Sequence, residues 1–338
     1  MTSGASSDRQ ASLTDVAELA GVSHMTVSRV VNGTGPVRAE TRAKVMAAIT
    51  KLDYRPNSAA RALVTGRTGV LGVVALDSTL YGPASTLYGI ENAAREAGYS
   101  VTISSVRAPQ RSSISDAVEI LRRQAVEGIV VIAPHLAAAE ALDAVPKDTP
   151  LVAVGGGDAA LPVVSVDQYD GARRVTEHLL ALGHKTVWHV GGPADWLEAR
   201  ERERAWRDTL KRYDAKTPRV VRGDWSPRSG YEAGRELADA KELTAVFVAN
   251  DQMALGVLRA FTEAGIRVPN DVHVAGFDDV PEAAYMNPPL TTVRQDFIEV
   301  GRRTFRVLAQ RISGELEHGR LRDLVAAELI VRESTGPR

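Results

Sequence analysis

The chain has 338 residues, no cysteine and a formal net charge of −1, with 44% hydrophobic and 25% charged side chains. These values are ordinary for a globular protein of more than one domain, and they exclude a disulfide framework and thiol chemistry. The polar start MTSGASSDRQ lacks the apolar core of a secretory signal, and no apolar run approaches the ~20 residues that span a bilayer. We therefore expect a cytoplasmic protein with no membrane partner.

Two short helices are predicted within residues 13–32, joined at Gly21. Apolar side chains recur at helical spacing in both, at Leu13, Val16, Ala17, Leu19 and Ala20 and at Val27, Val30 and Val31. Ser12 and Asp15 have the spacing of a capping box, Gly21 can end the first helix in the left-handed conformation, and Ser23 can cap the second. The pair is typical of a helix-turn-helix motif that reads DNA.

The second helix is predicted to direct its polar side chains outward, which suits a helix that enters a major groove. Arg29 can form a bidentate pair with guanine, whereas serine and threonine hydroxyls at the helix start contact phosphate. The alternative interpretation is an ordinary helical hairpin with a solvated face.

A third helix, from about Ala39 to Lys51, is predicted to close the small core with Val45, Ala48, Ile49 and Leu52. Residues 1–67 carry nine basic and five acidic side chains, whereas the rest of the chain carries 32 and 37. A basic head on an acidic body favours a phosphate partner for the head alone.

The segment at residues 54–69, between head and body, can form only a short helix, since Pro56 stands near its start and Gly66 near its end. So short a helix is marginal in water, and we expect it to order against DNA, with Leu63 as an apolar wedge in the minor groove. Packing of Leu63 under the head is the alternative. The candidate DNA-contacting residues are Ser23, His24, Met25, Thr26, Ser28, Arg29, Asn32, Arg42 and Leu63.

From Gly69 onward, short β-branched runs alternate with helical stretches, a βαβ rhythm that predicts parallel sheets covered on both faces. The runs are residues 70–76, 101–106, 128–133, 151–154, 163–166, 186–190, 219–222, 245–249 and 272–277. The helix after the fifth run is expected to be capped by Asp170, to direct Leu182 inward and to end at Gly183. Two such lobes place their strand ends at a shared cleft, the usual ligand site of this fold.

Headpiece, hinge and body together resemble the lactose/galactose repressor family from Leu13 to about Glu333, most closely its lactose-type members. The motifs that carry the resemblance are DVAELAGVS (15–23), TVSRVVN (26–32), EHLLALGH (177–184), GDWS (223–226), VANDQMALG (248–256) and PPLTTVRQDF (288–297). The resemblance implies an α/β fold with a three-helix helix-turn-helix headpiece, a hinge helix, and a two-lobed periplasmic-binding-protein-like body with parallel sheets and three chain crossings. It also implies a homodimer.

Five segments are expected on this basis. They are a disordered tail (1–12), the DNA-binding headpiece (13–53), the hinge (54–67), an N-terminal lobe (68–166 with 294–324) and a C-terminal lobe (167–293 with 325–333). After Val331 the chain ends RESTGPR, with no apolar heptads for a tetramer-forming bundle, which favours a dimer. A two-fold dimer implies a roughly palindromic operator with half-sites ~34 Å apart.

Matched position by position, the resemblance implies ligand contacts at Arg202, Trp225, Asn250, Asp278, Gln295 and Phe297. Carboxylate, amide and guanidinium groups suit sugar hydroxyls, and an indole suits the C–H face of a sugar. Each residue also has a simpler interpretation. Arg202 lies in ARERERAWR, which fits a solvated helix with charge pairs four residues apart, Trp225 can be a core aromatic, and Asp278 can begin a turn.

The first lobe departs from the lactose-type pattern, with Leu76-Asp77-Ser78, an apolar Ile132 and the run Gly155-Gly156-Gly157 at its strand ends. Asp77 and Ser78 become the candidate first-lobe contacts, and a galactoside-like sugar remains the expected effector. The pair His24-Met25 is unusual at base-contacting positions, so we expect the operator to differ from the lactose operator there.

The sequence therefore predicts a transcriptional repressor, not an enzyme, whose operator affinity falls when a small sugar shifts the dimer population toward a DNA-incompetent state. No cofactor or metal is expected, because HExxH, GxSxG, GxxxxGK and GxGxxG are absent and the seven histidines lack ligand spacing. Two alternatives stay open. One is a co-repressor-dependent regulator with a purine or phosphoprotein co-effector, and the other is a sugar-binding protein or enzyme with an incidental helical head.

Overall fold

The computed structural model describes residues 11–55, 66–76, 78–106, 111–132, 135, 142, 145–146, 148–155, 161–316 and 319–337. The chain divides into two compact units, residues 1–68 and 69–338. Residues 1–10 of the expected tail, most of the hinge with Leu63, and Asp77 lie outside the described residues. Within the described ranges, no helix has the length and apolar character needed to cross a membrane.

Three helices form the described part of the first unit: α1 (Leu13–Ala20), α2 (His24–Asn32) and α3 (Ala39–Lys51). The predicted capping box is confirmed, since Ser12 Oγ accepts from the Asp15 N–H at 3.3 Å and the Asp15 carboxylate accepts from the Ser12 N–H at 2.7 Å. Gly21 ends α1 at φ 66°, and Ser23 caps α2 by accepting from the Thr26 N–H. Both helix ends therefore rest on local signals.

The headpiece has one small apolar core. Its buried side chains are Val16, Ala17, Val27, Val30, Val45, Ala48 and Tyr54. Leu19 is 44% exposed, so its expected place on the buried face is wrong. With 3.6 residues per turn, the stripe centred on Val16, Ala17 and Ala20 leaves Leu19 at its margin.

Six parallel strands form the sheet of the first lobe, in the order β2-β1-β3-β4-β5-β11. They are β1 (Val70–Leu76), β2 (Ser100–Val106), β3 (Gly128–Ile132), β4 (Leu151–Val154), β5 (Val163–Val166) and β11 (Arg322–Val325). The helices of this lobe are α4 (Tyr81–Glu96), α5 (Arg111–Arg123) and α10 (Phe297–Ser313). Along β1, Val73 lies in one apolar cluster with Val300 of α10, and Val74 lies in another with Leu121 of α5. The predicted parallel sheet, covered on both faces, is thus confirmed.

Four parallel strands form the sheet of the second lobe, in the order β7-β6-β8-β9. They are β6 (Trp188–Gly191), β7 (Val220–Arg222), β8 (Ala245–Val248) and β9 (His273–Ala275). The helices of this lobe are α6 (Gln168–Ala181), α7 (Leu197–Arg212), α8 (Pro227–Ala238) and α9 (Asp251–Glu263). Here α6 packs against α7, and α8 packs against α9. Single 3₁₀ turns are present at Pro281–Tyr285 and Glu333–Thr335.

Three segments of the described chain join the lobes. They run from β5 to α6 at residues 166–168, from β10 (Thr292–Arg294) to α10 at 294–297, and from β11 to β12 (Glu328–Ile330) at 325–328. Strands β10 and β12 pair antiparallel, with Val293 opposite Leu329. The three crossings expected from the family resemblance are therefore present. Strands β10 to β12 were not among the predicted runs, because each includes a charged residue in its sequence, TVR, RDLV and ELI, and so lacks a continuous apolar run.

The cap of α6 is Asp167, so the prediction of Asp170 is wrong. Asp167 Oδ1 accepts from the Asp170 N–H at 2.9 Å, whereas the Asp170 carboxylate pairs with Arg174 within the helix. Leu182 follows the last helical residue and is 44% exposed, so it does not face inward as expected. Gly183 comes next at φ 91°, a left-handed position that favours glycine after a helix end.

Candidate ligand pocket and nucleic-acid interface

A cavity of about 310 Å³ lies between the two lobes, at the carboxyl ends of their parallel strands. This is the position predicted for a ligand in sheets of this kind. The candidate ligand contacts that line it are Arg202, Trp225, Asn250, Asp278, Gln295 and Phe297. Ser78 is not among the lining residues, although the adjacent Thr79 is.

Helix α7 has two charged faces with different surroundings. On its outer side, Glu201 pairs with Arg204 and Glu203 pairs with Arg207, as expected of a solvated helix with charge pairs. Arg202 lies on the inner side and is only 5% exposed. The solvated-helix interpretation therefore describes its neighbours and not Arg202 itself.

The Arg202 guanidinium is held from several directions. Its Nε donates to Gln168 Oε1 at 2.8 Å, its Nη1 donates to the Ala249 carbonyl, and its Nη2 lies 3.8 Å from Asp278 Oδ1. Its Cζ also lies 4.0 Å from the centre of the Phe277 ring. Burial lowers the pKa of Arg202, and the nearby Asp278 carboxylate offsets part of that lowering.

The contacts of Arg202 extend into a ring of four buried side chains. Gln168 Nε2 donates to Gln295 Oε1 at 2.7 Å, and Gln295 Nε2 donates to Asp278 Oδ1 at 2.5 Å. Since Asp278 faces Arg202, the circuit Arg202–Gln168–Gln295–Asp278 closes on itself. Each group fixes the orientation of the next, so the circuit presents preorganised donors and acceptors on the cavity wall.

Asp278 adopts a backbone conformation that is rare for a residue with a side chain, with φ 117°. Its N–H donates to the Val293 carbonyl at 2.8 Å, which holds the loop after β9 against β10. Burial raises the pKa of Asp278 to about 6, against the lowering effects of Arg202 and Gln295. A strained, buried carboxyl at a cleft is typical of a functional site.

Asn250 caps helix α9 and also fixes the neighbouring loop. Its Oδ1 accepts from the Met253 N–H at 3.0 Å, and its Nδ2 donates to the Trp225 carbonyl at 3.1 Å and to Gln252 Oε1 at 2.9 Å. A ligand hydroxyl that binds this amide must therefore compete with Gln252. Asn250 acts first as a positioning group for Trp225.

Trp225 lies in the apolar core of the second lobe and on the cavity wall at once. Its backbone φ is 75°, and its ring lies against Gly192, where an added Cβ would come within 2.2 Å of the indole. Its Nε1 is buried and has no hydrogen-bond partner among the described residues. The Trp196 ring meets it edge-on at 5.3 Å.

The first-lobe side of the cavity is largely apolar. Ile132, Val154 and Val166 contribute the strand ends, and Phe297 meets Tyr81 edge-to-face with ring centres 5.8 Å apart. The cavity thus has a polar wall on the second lobe and an apolar wall on the first.

Sequence reasoning missed several lining residues, among them Gln168, Gln252, Glu198, Trp196 and Tyr81. Gln252 could have been found, because it lies in the motif VANDQMALG two residues after Asn250. Gln168 and Glu198 belong to no motif, and only the packing of α6 and α7 brings them to the cavity.

Five of the candidate DNA-contacting side chains lie on the outer face of α2. Those exposed are His24, Met25, Arg29 and Asn32, and Ser28 is half-buried. At 100° per residue this set lies opposite the buried Val27 and Val30. Ser23 Oγ lies 2.9 Å from Thr26 Oγ1 at the start of the helix, so both hydroxyls also serve the cap. Arg42 is exposed on α3, and Leu63 lies outside the described residues.

Comparison with known proteins finds a family match within each of the two units. Residues 12–57 match the family described as bacterial regulatory proteins, lacI family, and residues 176–335 match a periplasmic binding protein-like domain. The crystal structure of the lac repressor dimer bound to operator and the anti-inducer ONPF superposes with a TM-score of 0.87 at 35% identity, covering 97% of this chain and 99% of that one. The predicted fold class is confirmed.

Curated relatives extend over nearly the whole chain. The lactose operon repressor of Escherichia coli (strain K12) is 36% identical over 327 residues, covering 96% of this chain and 90% of the relative. The HTH-type transcriptional regulator CelR of Thermobifida fusca is 35% identical over 353 residues, with 96% and 98% covered. The HTH-type transcriptional repressor PurR of Haemophilus influenzae (strain PittEE) is 31% identical over 334 residues, also with 96% and 98% covered.

These relatives are transcriptional regulators rather than enzymes, which agrees with the prediction from the sequence and gives no support to the enzyme alternative. The chain is therefore a member of the lacI family of bacterial regulatory proteins, a DNA-binding transcriptional repressor whose body is a periplasmic-binding-protein-like ligand domain.

Proposed function

We propose that this repressor binds a small, galactoside-like sugar in the cavity between its lobes and that the sugar lowers its affinity for operator DNA. The observation that carries the proposal is the closed circuit Arg202–Gln168–Gln295–Asp278. It holds alternating donors and acceptors in one place, as adjacent hydroxyls on a sugar ring require.

The two walls of the cavity match the two faces of a sugar. Trp225 offers an indole to the C–H side of a pyranose, next to the polar circuit. Across the cavity, Ile132, Val154 and Val166 suit an apolar substituent rather than a second set of hydroxyls. A monosaccharide with an apolar aglycone therefore fits better than a ligand that is polar on all sides. The solved complex of CelR with cellobiose, 32% identical with a TM-score of 0.72 over 96% of this chain and 99% of that one, supports the sugar class.

A co-repressing purine is the second candidate ligand. The edge-to-face pair Tyr81–Phe297 could flank a planar base, and relatives named PurR are 31% identical to this chain. A purine of this kind would strengthen DNA binding instead of weakening it, so the sign of the effect separates the two candidates.

The coupling between ligand and DNA is a population shift. A ligand that contacts both lobes favours one lobe arrangement over the other, and a hundredfold preference gives about 2.7 kcal/mol per site. We propose that the chain acts as a homodimer on a roughly palindromic operator, because a two-fold dimer presents two equivalent reading helices. The solved lac repressor dimer bound to operator supports the dimer. We expect the DNA to be contacted by the outer face of α2, by Ser23, Thr26 and Arg42, and by the hinge at 54–67 with Leu63. The boundaries of the five segments expected from the sequence are also part of the proposal.

The test combines operator selection with ligand titration. A random-sequence duplex pool is enriched on the purified chain, and the selected duplex is titrated by fluorescence anisotropy with and without methyl β-D-galactoside, lactose, cellobiose, hypoxanthine and guanine. We expect a palindromic consensus and a weaker complex with one of the sugars. A raised melting temperature of the free protein with the same sugar identifies binding to the folded state. Tighter DNA binding with a purine would replace the first proposal by the second.

A further inference from the structure

Among the described residues of the cavity wall, Glu198 is the one carboxylate that the polar circuit does not use. It is the second residue of α7, one turn before Arg202, and it lines the cavity. Its Oε2 atom is buried and has no hydrogen-bond partner among the described residues. Native proteins rarely leave a buried acceptor unpaired, so such an atom at a cavity indicates a group completed by a ligand.

The cation next to Glu198 is Arg202, and its guanidinium nitrogens contact groups other than Glu198. Arg202 directs its Nε to Gln168, its Nη1 to the Ala249 carbonyl and its Nη2 toward Asp278. Burial raises the pKa of Glu198, and its own backbone N–H and Arg202 lower it only in part. Although its own backbone N–H serves the carboxyl, Oε2 is an acceptor that the protein has desolvated without supplying a donor for it among the described residues.

The charges around the cavity determine which ligands can supply that donor. Arg202 is the only cation among the described lining residues, and the carboxyls of Glu198 and Asp278 both lie near it. A phosphate or carboxylate would bring a third negative charge to this wall and would have no free cation to pair with. An uncharged ligand with a hydroxyl at this point would satisfy Oε2 by donating to it.

We propose that Glu198 is a specificity-determining residue, which selects an uncharged sugar through one donated hydroxyl and rejects sugar phosphates and uronates. This inference rests on the proposed function, because it concerns the ligand of the same cavity. Glu198 differs from the residues of the circuit in its role, since its partner is the ligand and not another side chain.

The test uses the isosteric variant Glu198→Gln in the full chain, with Glu201→Gln as the matched control. Glu201 lies on the same helix, pairs with Arg204 and does not line the cavity. Calorimetric titration with methyl β-D-galactoside, lactose, cellobiose, galactose 6-phosphate and galacturonate gives the affinities. We expect Glu198→Gln to weaken the neutral sugar bound by the wild type about tenfold, while the anionic sugars bind more tightly than they do to the wild type. Glu201→Gln should leave both classes unchanged.

A second variant tests the unpaired acceptor without any ligand. Replacing Glu198 by Leu removes the unpaired Oε2 at similar size, together with the attraction of the carboxyl for Arg202. Since burial keeps the pKa of Glu198 raised in spite of that attraction, the unliganded protein should melt at an equal or higher temperature. A lower melting temperature would show that the contacts of Glu198 within the protein outweigh its desolvation and would overturn the inference. Unchanged neutral-sugar affinity in Glu198→Gln, or wild-type preference for an anionic sugar, would also overturn it while leaving the proposed sugar function intact. Failure of every sugar to bind the wild type would refute the proposed function, and the inference with it.

Discussion

Gln168 donates a hydrogen bond of 2.7 Å to Gln295, although 127 residues separate the two side chains in the chain. Gln168 opens helix α6 at one crossing between the lobes, and Gln295 lies in another crossing, between β10 and α10. The bond thus ties two of the connecting segments to each other beside the cavity. A ligand that binds the circuit contacts the segments that must move when the lobes rearrange, which gives the cavity a direct route to the lobe equilibrium.

Replacing Gln168 by Leu should break this tie. Arg202 Nε and Gln295 Oε1 would lose their partners, at a cost of about 1–3 kcal/mol in the free energy of unfolding. Ligand affinity should fall about tenfold, because the remaining groups are no longer held in place. Urea unfolding and calorimetric titration measure the two effects. The control is Gln124→Leu, an exposed position at the end of α5. Equal effects at both positions would show that the bond has no special role.

Binding of the sugar should weaken in acid through Asp278. Burial raises the pKa of this carboxyl to about 6, so the free protein takes up a proton there as the pH falls below that value. A sugar hydroxyl donates best to the ionised form, and the proton must then be released on binding. We expect the dissociation constant at pH 5.0 to be about tenfold that at pH 7.5. The variant Asp278→Asn should bind the sugar more weakly, and its dissociation constant should vary less with pH than that of the wild type. If the dissociation constants of the two proteins change with pH to the same extent, Asp278 is not the cause.

The second lobe should lose stability in acid through His189. This side chain is fully buried on β6 between the Trp206 and Phe247 rings, with its Nδ1 2.9 Å from the Phe247 carbonyl oxygen. Burial lowers the pKa of His189 to about 4. In the unfolded chain this histidine binds a proton below about pH 6.5, whereas in the folded protein it does not do so until about pH 4. The neutral His189 therefore contributes fully to the free energy of unfolding above pH 6.5, and this contribution is lost as the pH falls from 6.5 toward 4.

The expected loss is about 2 kcal/mol between pH 6.5 and pH 5.0, and urea unfolding followed by tryptophan fluorescence measures it. In His189→Leu the absolute free energy of unfolding will differ, but the acid-dependent part should shrink by about that amount. If the variant and the wild type lose stability equally over this interval, another group is responsible.

Replacing Gly192 by Ala should displace Trp225. The added Cβ would lie 2.2 Å from the indole ring, which is closer than any real contact allows. Overpacking of this kind costs about 1–3 kcal/mol, and moving the indole should reduce sugar affinity about tenfold. Tryptophan emission and titration report the two changes. Gly319→Ala is the control, because nothing lies within 4 Å of its position. Unaltered emission and affinity in Gly192→Ala would contradict the role given to Trp225.

Replacing Arg29 by Ala should relax sequence recognition without unfolding the headpiece. Arg29 is exposed on α2, and a bidentate contact to a base contributes about 1–3 kcal/mol of discrimination. Lys51→Ala removes another exposed cation, at the end of α3, and should weaken selected and scrambled duplexes alike. Anisotropy titrations of both duplexes give the specificity ratio. A ratio that is the same in Arg29→Ala and Lys51→Ala would remove Arg29 from the base-reading set.

Local signals were enough to predict much of this molecule. The capping box of Ser12 and Asp15, the left-handed Gly21 and the cap at Ser23 act within four residues, so their effect is visible in the chain itself. The continuous apolar runs of β1, β3 and β4 have the same property, because a strand buried on both faces is apolar along nearly its whole length. Motif order then indicated the family.

The predictions from the sequence were wrong where two residues offered the same local signal or where a residue lay at the margin of a helix. Asp167 and Asp170 are both acceptable caps for α6, and the position of the strand end at Val166 decides for Asp167. Leu19 and Leu182 are apolar at nearly helical spacing, yet each lies at the margin of its helix, where only the neighbouring elements determine exposure.

The sequence by itself determined most helix ends and most of the buried strands. Its motifs also identified a DNA-binding headpiece and a ligand-binding domain. Only the tertiary structure decided that Gln168 and Glu198, which belong to no motif, meet Arg202, Gln295 and Asp278 at one cavity. The physical reason is distance along the chain. Helix caps and strand patterns act over a few residues, whereas the circuit depends on lobe crossings that bring together side chains more than a hundred residues apart.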